Sequence, residues 1–182
     1  ILREGPISNL WIQPAAGDAG GALGAALAAW HQLLENPRVP EAHDSQHGSL
    51  LGPSCTNEEI ARTLDAQEIP RQKIDSEAEM LGAVAGLLAA GKIVGWFQGR
   101  MEFGPRALGA RSILGDPRNP AMQSAMNVKI KFRESFRPFA PCVLQERAAD
   151  FFDLPANVES PYMLVVAPVL KQHRAMISAA DQ

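Results

Sequence analysis

QGRMEFGPRALGARSILGDPR, residues 98–118, and KIKFRESFRPFAP, residues 129–141, form the stretch that decides how this chain is read. From residue 98 to residue 137 there are eight cations, Arg100, Arg106, Arg111, Arg118, Lys129, Lys131, Arg133 and Arg137, and three anions, Glu102, Asp116 and Glu134. That is a local charge of +5 in a chain of net charge −3, so the residues outside the window sum to −8. Concentrated cations raise the local potential, so a basic island in an acidic chain points to a compact anion. The arginines alternate with Gly and Pro instead of running together. Forks spaced by rigid turns suit phosphate or carboxylate recognition better than a solvated tail does. The competing reading is a set of surface arginines paired with local acids, which leaves five charges without a local partner.

The rest of the composition is ordinary. The 182 residues allow one domain, or one domain and a piece of another, and 46% are hydrophobic and 20% charged. Overall acidity argues against broad nucleic-acid binding, although a local groove could still track a backbone. Cys55 and Cys142 are far apart and make neither a close metal pair nor a disulfide framework. Inert thiols in a reducing cytoplasm are the expectation. The first residues, ILREGP, lack a basic start and an apolar core, so they do not read as a secretory signal. The most apolar stretch, 81–97, is interrupted by Gly91-Lys92 and is too short to span a bilayer. The chain starts at Ile1 in mid-pattern, which predicts a piece of a longer protein.

In order along the chain, residues 6–34 read as a short strand at 10–12, a tight turn and a helix over about 20–35, with Leu23, Leu27, Trp30 and Leu34 at helical spacing. The turn, AAGDAGGALG, lets backbone approach a ligand, with Asp18 as a ligand for a metal or a hydroxyl. Equally, its glycines permit close helix packing and Asp18 is an N-cap. Residues 36–55 are a Pro-, Gly- and Ser-rich connector. His43 and His47 lie on it and read as solvated loop residues, because a metal pair at that spacing needs a helix.

Thr56 and Glu59 form a capping box for a helix over 56–67 striped by Ile60 and Leu64. A short strand is expected at 69–74. Ser76 and Glu79 form a second box, opening a helix with Met80, Leu81, Val84, Leu87 and Leu88 that ends at Gly91. Further strands are expected at 92–97, 112–114, 140–144 and 162–169, and helices at 121–129 and 145–152. Alternating elements imply an α/β domain with a mostly mixed sheet.

Residues 99–106 follow a strand, where α/β loops host ligands. Gly99, Gly104 and Gly109 allow turns, and Arg106 and Arg111 share a ligand only if the backbone turns between them. Glu102 reads as a salt-bridge partner of Arg106 or Arg111 rather than a catalytic acid, or as a hydrogen-bonding group for a substrate hydroxyl. Alternation over 129–133 would put Lys129, Lys131 and Arg133 on one face of an extended segment. Several cations converging on phosphates would offset charge that builds in phosphoryl or adenylyl transfer. There is no GxxxxGK[ST], so no P-loop.

GRMEFGPRALGARSILGD, residues 99–116, followed by KFRESFRPFAP, residues 131–141, resembles the C-terminal domain of NodU/CmcH/TobZ-type carbamoyltransferases. LGPSCTNEEI, residues 51–60, resembles the opening of that domain, and PAAGDAGGALGAA, residues 14–26, the tail of the preceding kinase-like (ASKHA) domain. The resemblance implies domains at 1–37 and 38–182, the second a YrdC-like mixed twisted sheet with flanking helices. It implies formation of carbamoyl adenylate from carbamoyl phosphate and ATP, and transfer of the carbamoyl group to an acceptor hydroxyl.

Carried over by motif position, Arg100, Arg106, Arg111, Ser112, Lys131, Arg133 and Arg137 are the candidate nucleotide or carbamoyl-phosphate ligands. Arg106, Lys131 and Arg137 among them are expected at the reacting phosphates. Gly17, Gly20 and Gly21 would lie near the nucleotide. Asp18 would bind a divalent metal, magnesium or iron, whose other ligands belong to the kinase-like domain. The resemblance also implies that most of that domain, and a later HxDGTxR stretch, lie outside this chain. The chain would then be incomplete on its own and pack on its kinase-like domain. The alternatives are a nucleotide- or RNA-binding YrdC-like module without carbamoyl transfer, and a non-catalytic domain whose arginines take partner carboxylates.

Overall fold

The computed structural model describes residues 4–7, 10–154 and 158–174. It combines helices with one small antiparallel sheet, and much of the chain runs without regular structure. Contacts divide the chain into two units, Ile1–Arg137 and Pro138–Gln182. No helix among the described residues is long and apolar enough to cross a membrane.

In the first unit, helix α1 spans Asp18–Ala28 and runs into a wide π turn, Ala29–Leu33. Helix α2, Asn57–Ala66, opens on the complete Thr56/Glu59 capping box that the sequence predicts. Helix α3, Glu77–Ala89, has half of its expected box, with the Ser76 hydroxyl accepting from the Glu79 amide at 3.3 Å. It ends where Gly91 takes φ +76°. The Gly91 amide then reaches the Leu88 carbonyl and the Lys92 amide the Leu87 carbonyl, so two orphan carbonyls are satisfied. The chain enters β1, Val94–Phe97, which pairs antiparallel with β2, Arg111–Leu114, in the register Val94↔Leu114 to Phe97↔Arg111. The basic motif is therefore the connection between two paired strands.

Beyond β2 the chain packs tightly. A Cβ on Gly115 would fall 2.6 Å from the Met126 sulfur and 2.9 Å from that of Met122. Glycine lets the strand end lie against helix α4, Met122–Ala125, without displacing these two methionine side chains. Met122, Met126 and Ala110 are the buried apolar side chains of the described core. Helix α4 opens into a second π turn, Met126–Ile130.

The second unit holds a 3₁₀ turn at Gln145–Arg147, the short helix α5 at Ala148–Phe151, and a single antiparallel bridge, Phe152↔Val169. Phe151 stacks on His173 at 5.1 Å, and a His173 ring nitrogen lies 2.8 Å from the Asp150 carbonyl.

Four expected strands are absent. A strand exists only by pairing. Residues 10–12 find no neighbour and turn directly into α1. Residues 69–74 are drawn back along α2 by the two hydrogen bonds from Arg71 to Asp65. Residues 140–144 are unpaired, and 162–169 are interrupted by Met163 at φ +54°. The extended face expected for Lys129, Lys131 and Arg133 is also absent. The π turn carries through Ile130, Lys131 is helical at φ −94°, and Phe132 swings to φ +49°.

Gly91→Ala is expected to lower stability by about 1–2 kcal/mol, the cost of a Cβ in left-handed backbone. Urea unfolding, with the slope of the transition unchanged, checks this.

Candidate functional site

The loop between β1 and β2 has no regular structure, so its polar backbone needs side-chain partners. Two opposite charges supply them. The Arg111 guanidinium donates through Nη1 to the Gln98 and Ala110 carbonyls at 2.8 Å each, and through Nη2 to the Gly99 carbonyl at 3.1 Å. It also lies 3.4 Å above the centre of the Phe97 ring, a cation–π contact. The Glu102 carboxylate faces inward and is 7% exposed. Its Oε1 accepts from the Leu108 amide at 2.8 Å and the Ala110 amide at 2.6 Å. The expected salt bridge from Glu102 to Arg106 or Arg111 is therefore replaced. Each charge is used on the complementary backbone group, which a loop of this length leaves in surplus.

Burial pushes the Glu102 carboxyl up, but the amides of Ala110, Leu108, Glu102 itself and Arg111 outweigh it and hold it below the ordinary glutamate range. Ser112 closes the far end of the loop by accepting from the Gly109 amide at 3.1 Å. Arg100 leaves the loop to donate to the Leu51 carbonyl at 3.1 Å, while alongside it the Gly52 amide donates to the Met101 carbonyl and the Met101 amide to the Pro53 carbonyl, each at 2.9 Å.

Arg106 is different. It is exposed and its guanidinium has no partner among the described residues. The loop beneath it rests on the turn before α1. Gly104 has φ +124°, and a Cβ there would come 2.8 Å from the Ala15 Cβ. The glycine-rich turn and the arginine loop thus touch. Gly20 is required by packing, because its Cβ would meet the Ala15 carbonyl at 2.3 Å, while Gly17 and Gly21 face open space. The N-cap of α1 is Gly17 and not Asp18, which lies in the first turn, exposed, where its charge suits the helix dipole. No cluster of three His, Cys, Asp or Glu exists among the described residues. Asp18 thus stands alone and exposed, and the further ligands that a metal there would need are not among the described residues.

The second limb, 131–137, is organised by a residue that the sequence reading passed over. Asn127 is fully buried. Its Nδ2 donates to the Ser135 and Arg137 carbonyls at 3.0 and 2.8 Å, and its Oδ1 accepts from Arg133 Nε at 2.7 Å. Gln123 adds two bonds to the Phe136 and Arg137 carbonyls at 3.1 Å. An amide side chain directly after a buried Met was the available signal. Arg137 pairs with Glu134 at 3.2 Å, and Arg118 with Asp116 at 2.6 Å. Lys129 and Lys131 are exposed and without partners among the described residues. Of the eight cations, Arg106, Lys129 and Lys131 are the ones without a partner among the described residues.

Residues 85–181, which contain both limbs, match the model of the carbamoyltransferase C-terminus. This chain belongs to the carbamoyltransferase C-terminus family. Among its curated relatives, an uncharacterized protein of Synechocystis is 58% identical over the whole chain, which covers 29% of that protein. Nodulation protein NolNO of Sinorhizobium fredii is 40% identical over 98% of the chain and 26% of its own length. The 3'-hydroxymethylcephem-O-carbamoyltransferase of Streptomyces clavuligerus is 32% identical over 88% of the chain and 27% of its own length. The chain thus spans under a third of the relatives it matches. In this carbamoyltransferase C-terminus, family membership and free cations coincide in one stretch.

The depressed Glu102 carboxyl gives stability that is fully present above the ordinary glutamate range and is lost as pH falls through its lower folded value. The stability difference between wild type and Glu102→Gln, measured by urea unfolding, should be constant near about pH 7 and shrink progressively below about pH 4.

Proposed function

We propose that this chain is the carbamoyl-adenylate-forming region of an O-carbamoyltransferase. The observation that carries this reading is an Arg106 without a partner among the described residues, held on a doubly clamped loop within the family match. Carbamoyl phosphate loses phosphate to water, leaving carbamate. A carbamate oxygen attacks the α-phosphorus of ATP, the bond to pyrophosphate breaks, and carbamoyl adenylate forms. The adenylate then gives its carbamoyl group to an acceptor hydroxyl and releases AMP.

In this reading Arg106 takes a phosphate with its planar fork, and Lys131 supplies a mobile point charge. Arg137, paired with Glu134, and Arg133, fixed by Asn127, add positive potential on the same limb. Arg100, Arg111 and Ser112 shape the loop instead of meeting the ligand. Residues 38–182 are read as a YrdC-like domain that contains the antiparallel pair β1 and β2. Residues 1–37 are read as the end of a kinase-like domain on which it packs. The low coverage of the relatives supports a partnership with that domain.

Exchange of labelled pyrophosphate into ATP, dependent on carbamoyl phosphate, tests the reaction in the full-length protein. Arg106→Ala should lower it about tenfold to a hundredfold, the range for one charged hydrogen bond. A folded variant with unchanged exchange would sink the assignment of Arg106.

A second reading has one observation in its favour. Phe132 and Phe136 are 87% and 76% exposed beside Lys131, Arg133 and Arg137. Aromatic faces among cations are a platform for single-stranded RNA. On the carbamoyltransferase reading, filter binding to RNA should be weak, with a log–log salt slope of magnitude below about 2. A steep slope that Phe132→Ala weakens would favour RNA.

A further inference from the structure

We infer that Glu102 is a positioning residue for the phosphate-bearing substrate: it fixes Arg106 by closing the loop that carries it, and it touches no substrate atom. The inference rests on the carbamoyl-adenylate reading of the Arg106 loop. A carboxylate beneath an anion site is an unexpected choice, since a like charge opposes binding. The geometry explains it. Glu102 stands at the start of the 102–110 segment, and the two amides that its Oε1 accepts from, Leu108 and Ala110, stand at the end. One oxygen therefore joins the two limbs, with Pro105 and Arg106 between them.

The loop amides would otherwise be open donors that could rearrange around any passing anion. With Glu102 in place they are committed before a ligand arrives. The loop is backed by the Ala15 turn at Gly104, and its base is tied by Arg111. Arg106 is left as the projecting donor of a preorganised frame, and preorganisation is what turns a flexible arginine into a binding group. The carboxylate is buried and its Oε1 is shared by two amides, which leaves it badly placed to take a proton from an acceptor hydroxyl.

The test uses carbamoyl-phosphate-dependent pyrophosphate exchange in the full-length protein with Glu102→Ala, Glu102→Gln, Arg106→Ala and the Ala/Ala double variant. Glu102→Ala and Arg106→Ala should each raise KM for carbamoyl phosphate about tenfold or more. If Glu102 acts through Arg106, the double variant should be within about twofold of Arg106→Ala alone. Glu102→Gln keeps an oxygen that can accept both amides, and should stay within about threefold of wild type. Effects that multiply in the double variant would overturn the inference and leave the function standing. So would a Gln variant as impaired as the Ala variant, which would mean that the charge itself does chemistry. A normal Arg106→Ala would overturn the assignment of Arg106 and this inference together, whereas a wild type without carbamoyl-phosphate-dependent exchange would overturn the function. If Glu102→Ala fails to fold, Glu102→Asp withdraws the oxygen by one methylene. Its KM is expected to rise, and an unchanged KM overturns the proposal.

Discussion

A loop that joins two strands without being part of either has backbone amides and carbonyls to satisfy, and the structure depends on how this is done. Glu102 takes the amides of Leu108 and Ala110, and Arg111 takes the carbonyls of Gln98, Gly99 and Ala110. Had the two side chains paired with each other, the buried Ala110 amide and the half-buried Leu108 amide would have lost their acceptor. Leaving buried backbone groups unpaired costs more than an isolated ion pair returns. The short sheet follows from the same arrangement, since Arg111 is both the first residue of β2 and the brace on Phe97 opposite it.

A count of charge alone overstates what this chain can offer a ligand. Arg100, Arg111 and Arg133 donate to protein oxygens, and Arg118 and Arg137 face acids. The remaining Arg106, Lys129 and Lys131 are exposed. Arginine is well suited to the first task, because five donors on a plane can hold several carbonyls at once. In this chain the same residue type builds the frame and projects from it, and only the local partners tell the two apart.

That division was not legible in the sequence, whereas much of the helical structure was. The caps at Thr56 and Ser76 and the stop at Gly91 act within a few residues of themselves, so pattern reveals them. The pairing of β1 with β2 was half legible, as two apolar runs on either side of a glycine-rich stretch. The missing strands failed for a non-local reason: 69–74 has the composition of a strand, but Arg71 is captured by Asp65 and no neighbour lies alongside. Glu102 was read from charge, which favours an arginine partner, when burial and loop geometry select amides. Asn127 was overlooked because its partners, Ser135 and Arg137, lie eight and ten residues further on.

The π turn at Met126–Ile130 has a bearing on how this segment can change over evolutionary time. In an α-helix the Lys131 amide would bond the Asn127 carbonyl, four residues back. Here it bonds the Met126 carbonyl at 3.0 Å, and the Asn127 carbonyl is free to accept from the Arg133 amide at 3.1 Å. The turn behaves as a helix carrying one inserted residue, a form often found at functional sites. Deleting a single residue there would restore a regular helix. It would also withdraw the carbonyl that turns the chain toward Arg133. Length in this segment is therefore constrained alongside the side chain of Asn127, because both set where the chain turns.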